Sequence, residues 1–293
     1  MKVGDTHAPS LGPLESARLA ELFRETAGLA FGDDARFAIE RKLRERVVTL
    51  GLASFGDYAA LLRRDTPEGR RELEEALDLV TTHETYFFRE DYQLAAFHRQ
   101  VLPSLCDLAA SRRRLSIWSA GCATGEEAYS IAIILSEVPE LAGWETRIMG
   151  TDLSKRCIAV ARRGVYGKAS FRMAPELADT PGFEAHPDGA RVRAHVQKLC
   201  TFAQLNLLDE VKASVVGRVD AIFCRNLLIY LVPEARKAVL SLLHDRLVPG
   251  GYLMLGHSES LLSEPTPFEP VQLADALVYR RPTTDSEMKK RAR

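Results

Sequence analysis

The sequence is poor in cysteine and has no long apolar run, and both shortages restrict the class of protein. Its 293 residues include five scattered cysteines without a C-x-x-C pair, which argues against a disulfide framework and for a reducing compartment. The longest aliphatic run, residues 131–135, is far too short to cross a bilayer. The first residues lack the apolar segment of a secretory signal peptide. We therefore expect a cytoplasmic protein without direct membrane insertion.

An excess of charge of either sign is also absent. Lys and Arg together number 39, against 40 Asp and Glu, so the overall charge gives no reason to expect a nucleic-acid partner. The seven histidines show no H-E-x-x-H spacing, which would have indicated zinc. We predict no metal and no nucleic acid. Hydrophobic residues make up 46% of the chain, enough for a globular core.

Two patterns of hydrophobicity divide the chain. Residues 1–80 are predicted to form a small domain of short helices, because apolar residues recur at spacings of three to five and no strand signal interrupts them. Residues 81–90 are the predicted linker. Over 91–282 short apolar strands alternate with helices, which predicts an α/β fold with a mostly parallel sheet. A small hairpin is expected to be inserted around 186–198, and 283–293 is predicted to be a mobile basic tail.

Polar residues follow four of the predicted strands. A loop from Gly121 to Gly125 follows the first strand, Asp152 ends the second, Asn206 follows the third, and Arg225-Asn226 follow the fourth. Ligands of parallel sheets bind at the carboxyl ends of the strands, so this edge is the predicted nucleotide-type site. The loop reads G-x-x-x-G and the acid comes 31 residues after its start, which does not suit a dinucleotide fingerprint. A tight turn without ligand and turn-forming asparagines are the alternative interpretations.

Four motifs carry a more specific signal. They are T-H-E-T-Y-F-F-R-E at 82–90, W-S-A-G-C-A-T-G-E-E-A-Y-S at 118–130, C-R-N-L-L-I-Y at 224–230 and G-H-S-E at 256–259. In type and order these motifs closely resemble those of the CheR-type chemotaxis receptor methyltransferases, and the resemblance runs from about residue 15 to 281. It implies a class I S-adenosylmethionine-dependent methyltransferase with a Rossmann-like sheet, a small all-α N-terminal domain that docks the receptor, and an inserted β-subdomain.

The resemblance also implies a cofactor, partners and site residues. The cofactor is S-adenosyl-L-methionine, the product S-adenosyl-L-homocysteine, and the partners are the cytoplasmic helices of chemoreceptors. The cofactor contacts implied by motif are His83, Thr85, Arg89, Glu127, Asp152, Asn206, Leu207, Arg225 and Asn226. His83 stands where the family often has Asn. Arg89 and Tyr230 are implied as catalytic residues near the transferred methyl, since a guanidinium can hold a carboxylate and a phenol can orient one oxygen. A surface ion pair and a core aromatic are their respective alternatives.

The second predicted helix supplies a candidate docking face. Its predicted buried stripe consists of Ile39, Leu43, Val47 and Leu50. Helical spacing places Arg41 and Arg44 nearly opposite this stripe, with Arg36 and Arg46 to either side. In the resembling family this helix offers positive charge to the acidic methylation region of the receptor. A solvated face is the alternative, because glutamates are interspersed.

The resemblance implies a protein-glutamate O-methyltransferase that gives glutamate methyl esters in chemotaxis adaptation. A glutamate carboxylate is already ionised at pH 7, so its methylation needs no general base. This is consistent with a sequence that shows no His-Asp or Cys-His constellation. Two alternatives remain open: a class I methyltransferase acting on another protein or a small molecule, and a non-catalytic module that senses the cofactor.

Overall fold

The computed structural model of the protein describes residues 9–32 and 34–283, which form two compact units. The helical unit takes the residues up to Thr82 together with Tyr230–Arg236, and the α/β unit takes the remainder. The division between Thr82 and His83 falls inside the predicted linker 81–90. The predicted tail lies outside the described residues except for Thr283.

Within the described residues, four helices lie wholly in the helical unit. They are α1 (Pro13–Ala27), α2 (Ala35–Thr49), α3 (Phe55–Leu62) and α4 (Pro67–Val80). The hydroxyl groups of Ser54 and Thr66 accept hydrogen bonds from the first turns of α3 and α4, which satisfies backbone donors that have no partner within a helix. Leu231 forms an antiparallel bridge with Leu29, which attaches the segment Tyr230–Arg236 to this unit.

The buried stripe of α2 is shorter than predicted. Ile39, Leu43 and Val47 are fully buried, whereas Leu50 is 37% exposed. The prediction for Leu50 was therefore wrong. The residue is the C-cap of α2 and stands directly before Gly51, which has a φ of 65°, so α2 ends at the position where the buried stripe would continue.

The α/β unit contains two sheets. Among the described residues its strands are β1 (Arg114–Ala120), β2 (Glu145–Asp152), β3 (Val165–Tyr166), β4 (Phe183–His186), β5 (Gly189–Val192), β6 (Cys200–Gln204), β7 (Val219–Cys224), β8 (Leu247–Leu255), β9 (Glu269–Gln272) and β10 (Leu277–Arg280). Its helices, with a π-helical turn Phe97–Val101 between α5 and α6, are α5 (Asp91–Ala96), α6 (Leu102–Ala109), α7 (Glu126–Ser136), α8 (Lys155–Arg163), α9 (Ala194–Gln197) and α10 (Glu210–Ala213). The last helix, α11 (Pro233–Arg246), begins in the segment Tyr230–Arg236 of the helical unit, and its remainder belongs to the α/β unit.

The large sheet has the strand order β6-β2-β1-β7-β8-β10-β9. The pairs β6-β2, β2-β1, β1-β7 and β7-β8 are parallel, and the pairs β8-β10 and β10-β9 are antiparallel. The carboxyl ends of β6, β2, β1 and β7 therefore lie side by side at one edge of the sheet. All six residues of β7 are buried, as expected for a central strand covered on both faces.

The small sheet is the inserted β-subdomain, with strand order β3-β5-β4 and antiparallel pairing. It begins at Val165, well before the predicted range 186–198, and Ala194–Gln197 at the end of that range is helical. The turn before β5 requires glycine: Gly189 has a φ of 132°, and a Cβ there would lie 2.2 Å from the carbonyl oxygen of Tyr166. In the described part of the chain, no helix is long and apolar enough to cross a membrane.

Candidate cofactor site and docking surface

The glycine loop between β1 and α7 uses its backbone N–H groups in hydrogen bonds within the protein. Gly121 and Cys122 both donate N–H groups to the carbonyl of Thr151, at 2.8 and 2.9 Å, and Ala123 donates to Asp152 Oδ2 at 2.8 Å. Phosphate-binding loops instead present these donors to the ligand. Two acids, Glu126 and Glu127, also stand in the first turn of α7, where a phosphate would otherwise bind. The loop is therefore unsuited to a dinucleotide pyrophosphate.

Asp152 lies at the end of β2 and organises the edge of the site. Besides Ala123, its carboxylate accepts a hydrogen bond from the backbone N–H of Ser154, at 2.8 Å from Oδ1. His83 and Cys157 lie near it. The atoms of these three side chains that could ligate a metal ion all lie within 4.8 Å of one another. Such a group has the ligand types of a transition-metal site. A cation there would compete for the carboxylate that is predicted to take the ribose.

Arg225 lies at the centre of an ion-pair network. Its side chain is 2% exposed and pairs with Glu90 Oε2 at 3.2 Å and Glu127 Oε2 at 3.3 Å. The same guanidinium donates to the backbone carbonyl of Arg89 at 2.5 Å, and Ser119 donates to Glu127 Oε1 at 2.6 Å. One cation thus stands between two carboxylates, which leaves a surplus of negative charge at the strand ends.

The pKa values of the two carboxylates in this network are shifted in opposite directions. Burial raises the pKa of Glu127 above its usual value, and the opposing effects of Arg225 and Ser119 do not cancel it. Burial acts in the same direction on Glu90, but Arg225, Asn226 and the N–H of His257 outweigh it, so the pKa of Glu90 is lowered. In the absence of a ligand, the ionised form is therefore less favourable for Glu127 than for Glu90.

Unusual backbone conformations cluster at the same edge. Non-glycine residues with positive φ include Phe88, Glu90, Ala123 and Asn226, with values of 55°, 53°, 45° and 58°. Each such conformation costs free energy and persists when the surroundings hold it in place. Asn226 is held on two sides: its side-chain amide donates to Glu90 Oε1 at 3.2 Å, and its backbone N–H donates to Glu259 Oε2 at 2.7 Å.

The remaining predicted contacts are less distinctive. Asn206 follows β6, and its side-chain oxygen accepts from the N–H of Leu208 at 3.0 Å, as a turn-forming Asn does. Leu207 and Thr85 are half-buried. The Arg89 guanidinium donates to the carbonyl of Glu84 at 2.6 Å, and no ion pair joins it to Glu90 or Asp91 in the described residues.

Tyr230 belongs to the helical unit. Its carbonyl accepts a hydrogen bond from Ala30 at 2.8 Å, and the residue is 41% exposed. The alternative interpretation of Tyr230 as a core aromatic is therefore excluded. The predicted positioning role requires a residue that is exposed in this way.

The outer face of α2 is the candidate docking surface. Arg36, Arg41 and Arg44 are exposed, and Arg44 pairs with Glu40 in the preceding turn. Arg46 differs because its guanidinium pairs with the buried carboxylate of Glu72, so we do not retain it as a docking residue. Sequence reasoning missed Phe37 and Val48, which are 70% and 53% exposed and share the helical face of Arg41 and Arg44.

Two carboxylates of the site were also missed. Glu90 and Glu259 appeared in the sequence analysis only as the last residues of the motifs 82–90 and 256–259. Both contact Asn226 directly. The signal that could have found them was their position within the motifs 82–90 and 256–259, since the spacing of acidic residues along the chain gives no indication.

The site fits a ligand with cationic and hydrogen-bond-donating groups. S-adenosylmethionine carries an ammonium, a sulfonium and two ribose hydroxyls, and the edge of the sheet offers the carboxylates of Glu90, Glu127 and Asp152. Glu127 and Asp152 suit the ammonium and the ribose respectively, because a carboxylate is an acceptor for both kinds of donor. The same surplus of negative charge disfavours phosphate.

Comparison with known families decides the identity of the fold. Residues 83–277 match the family described as CheR methyltransferase, SAM binding domain, and residues 15–81 match CheR methyltransferase, all-alpha domain. The chain belongs to the CheR methyltransferase family. Its class I fold and its cofactor, S-adenosylmethionine, are thereby confirmed as predicted, together with the all-α N-terminal domain.

Relatives of this family are similar to the chain over nearly its whole length. The chemotaxis protein methyltransferase of Vibrio parahaemolyticus is 34% identical over 281 residues, which cover 93% of this chain and 98% of the relative. Chemotaxis protein methyltransferase 1 of Pseudomonas aeruginosa is 32% identical, with 89% and 96% covered. Among solved structures, StiE O-MT residues 961–1257 is 15% identical with a TM-score of 0.34, covering 67% of this chain and 49% of its own, which is too distant to support an argument.

Proposed function

We propose that the protein transfers the methyl group of S-adenosylmethionine to glutamate side-chain carboxylates on the cytoplasmic helices of chemoreceptors. The observation that carries this proposal is the match of both domains to the CheR family. Relatives that share almost the full length of the chain are named chemotaxis protein methyltransferases. The proposed site of action is the cytoplasm, where these receptor helices lie in the resembling family.

The residue types suit carboxylate methylation. When bound, S-adenosylmethionine supplies an electrophilic methyl group on a sulfonium, and a glutamate is already ionised at pH 7. The task of the protein is alignment. Arg89 is proposed to hold the substrate carboxylate through its guanidinium, whose present partner is a backbone carbonyl. Tyr230 is proposed from the resemblance to orient one carboxylate oxygen through its exposed phenol.

The cofactor residues are proposed with separate roles. Asp152 is assigned to the ribose hydroxyls and Glu127 to the ammonium of the methionine end. Arg225 and Asn226 are assigned to the same end of the cofactor, where they meet Glu90. The contacts of His83, Thr85, Asn206 and Leu207 rest on the resemblance alone.

Receptor docking is proposed to use the outer face of α2. Arg36, Arg41 and Arg44 would attract the acidic methylation helices, since complementary charge steers and orients a partner. The exposed side chains of Phe37 and Val48 would add apolar contact, because exposed aromatic residues commonly anchor interfaces.

Labelled methyl transfer tests this function. The full chain is incubated with methyl-labelled S-adenosylmethionine and cytoplasmic fragments of chemoreceptors, and the label is expected to be released by base, as a methyl ester is. A fragment with its methylation-region glutamates changed to Gln is the control and should remain unlabelled. Base-resistant label, or transfer only to other proteins or small molecules, would replace the proposal with one of its alternatives.

Two enzyme variants separate alignment from cofactor binding. Tyr230→Phe should lower turnover while leaving affinity for S-adenosylhomocysteine near that of the parent chain, because only a hydroxyl is removed. Arg89→Ala should weaken both cofactor binding and turnover. A normal methylation rate in Tyr230→Phe would mean that another group orients the carboxylate.

A further inference from the structure

A single buried carboxylate satisfies the backbone that leaves β7. Glu259 is 4% exposed, and its Oε2 accepts from the N–H groups of Asn226 and Gly256, at 2.7 and 2.8 Å. Its Oε1 accepts from the N–H groups of Leu227 and Ile229, at 2.9 and 3.3 Å. Four backbone donors from two segments of the chain therefore converge on one side chain.

These donors need an acceptor of this kind because of the local backbone. Asn226 has a φ of 58°, so the chain leaves the β conformation at this residue. The backbone N–H groups that follow therefore have no carbonyl acceptor on a neighbouring strand. A buried N–H without a partner costs about 1–3 kcal/mol. Successive N–H groups in such a turn form a concave anion-binding nest, and an ionised carboxylate offers about four acceptor positions. Glu259 acts as the internal anion of this nest.

Gly256 makes room for the arrangement. A Cβ at this position would lie 2.7 Å from the side-chain nitrogen of Asn226, 2.8 Å from its backbone nitrogen and 2.8 Å from Glu259 Oε2. These separations are shorter than real Cβ contacts, and all three involve atoms that are fixed by hydrogen bonds. The first and last residues of the motif G-H-S-E thus serve one local structure, in which glycine supplies space and glutamate supplies charge.

The nest is continuous with the ion-pair network. Glu259 holds the backbone of Asn226, while Glu90 holds its amide, and the preceding residue Arg225 pairs with Glu90 and Glu127. Asn226 is therefore held through both its main chain and its side chain, and Arg225 is held through its side chain. Loss of Glu259 would free the main chain of Asn226 without removing any group that is assigned to the cofactor.

We propose that Glu259 is a positioning residue for the cofactor site, acting through the backbone of Asn226. The proposal rests on the assignment of Asn226 to the cofactor. It gives Glu259 no contact with cofactor or substrate, so its effect should disappear when the amide of Asn226 is absent. That dependence distinguishes positioning from a general contribution to the fold.

A double-mutant cycle measured with S-adenosylhomocysteine tests the proposal. Glu259→Gln keeps the shape but turns one acceptor into a donor, so at least one pair of N–H groups loses its partner. We expect this variant and Asn226→Ala each to raise the Kd by about tenfold or more. The double variant should bind no more than about twofold more weakly than the weaker single variant. Glu210→Gln, an exposed acid on α10, is the matched control and should bind as the parent does.

Three outcomes would overturn the proposal. Unchanged binding in Glu259→Gln would show that the nest does not affect the site, and multiplicative effects in the double variant would mean that Glu259 acts independently of Asn226. Unchanged binding in Asn226→Ala would remove the assignment on which the proposal rests. None of these readouts involves methyl transfer, so failure of the proposed receptor activity would be seen separately.

A second variant keeps the test decisive if Glu259→Gln does not fold. Gly256→Ala retains every hydrogen-bonding group and pushes a methyl group against the backbone of Asn226. We expect it to weaken binding of S-adenosylhomocysteine by about tenfold, and this loss should again vanish on the Asn226→Ala background. Parent-like binding in Gly256→Ala would overturn the proposal.

Discussion

The edge of the sheet and the outer face of α2 use the same residue types in opposite ways. At the end of β7, Arg225 is 2% exposed and fixed by two carboxylates. On α2, Arg44 is 49% exposed and pairs with Glu40 across one helical turn. Buried charges must be paired, and loss of one partner is expensive, whereas an exposed pair contributes little and is screened by salt.

The comparison teaches what each region is adapted to do. A cofactor with fixed geometry is best served by groups that are in place before it binds, because immobilising them during binding would cost affinity. A large helical partner needs attraction and orientation more than fixed contacts. The strain and the buried ion-pair network lie at the sheet edge, whereas Arg36, Arg41 and Arg44 on α2 are exposed.

Removal of Arg225 should produce the largest effect and test the contrast directly. Arg225→Met leaves Glu90 and Glu127 without their cation, so the free energy of unfolding should fall by about 3–5 kcal/mol. Arg44→Met, the matched change on α2, should cost less than about 1 kcal/mol. Urea denaturation at pH 7 measures both, and equal losses would break the comparison.

Loss of the Asp152 carboxylate should be the next largest effect. Asp152→Ala removes the proposed ribose acceptor and also the partner of Ala123 and Ser154. Charge-assisted hydrogen bonds contribute about 1.5–3 kcal/mol each, so the loss of even one of them should raise the Kd for S-adenosylhomocysteine by about ten- to hundredfold in calorimetry. Asp65→Ala, at a fully solvated acid, is the control. A parent-like Kd in Asp152→Ala would remove this residue from the site.

Glu127→Gln should stabilise the protein without cofactor and weaken the cofactor site. Burial raises the pKa of Glu127, so the ionised group opposes folding at neutral pH. Gln can accept from Arg225 with its oxygen and donate to Ser119 with its nitrogen, which leaves the network satisfied. We expect a gain of up to about 1 kcal/mol, or ~2–4 °C in Tm, together with weaker binding of S-adenosylhomocysteine.

The raised pKa of Glu127 also predicts how the effect of Glu127→Gln on Tm changes with pH. For a carboxyl with a raised folded pKa, the favourable contribution is complete below the unfolded pKa and is lost as the pH rises through the folded pKa. The advantage of Glu127→Gln in Tm should therefore be absent at low pH and grow toward neutral pH. Glu90, whose pKa is lowered, should give the opposite trend in Glu90→Gln. If the gain in Tm of Glu127→Gln over the parent were largest at acid pH, the raised pKa of Glu127 would be contradicted.

The sequence was most informative where local pattern and topology agree. Apolar strands followed by polar residues predicted the edge formed by β6, β2, β1 and β7. Strand β9 was missed because its burial alternates between half-buried and exposed residues, without the apolar run of a central strand. The β-subdomain was placed too late because two of its strands are short and separated by irregular chain.

The errors at Glu259 and Arg46 have a different physical cause. Glu259 meets Asn226 across 33 positions, and Arg46 meets Glu72 across 26. Neither pairing leaves a periodic signal, because helix and strand periods report only which face of an element is buried. Motif membership pointed to Glu259 without a role, and the charge pattern of α2 presented Arg46 as exposed. Tertiary contacts alone separate a structural charge from an available one.

The smallest effect should come from reversing charge on α2, where the comparison predicts a change in partner affinity and almost none in the protein itself. Arg41→Glu with Arg44→Glu should leave Tm and S-adenosylhomocysteine binding near parent values, because both side chains are exposed. The apparent Michaelis constant for receptor fragments should rise by about three- to tenfold at low ionic strength. This difference should shrink as salt screens the parent's attraction.

A matched control makes that result specific to the face. Arg63→Glu with Arg64→Glu changes the net charge equally at two exposed arginines after α3, so a mere change in overall charge would affect both double variants alike. Addition of Phe37→Ser to the α2 variant should lower receptor affinity further and independently of salt, since its contribution is apolar. An unaltered methylation rate and salt series in the α2 variant would mean that this face is only solvated, and that the receptor docks elsewhere on the protein.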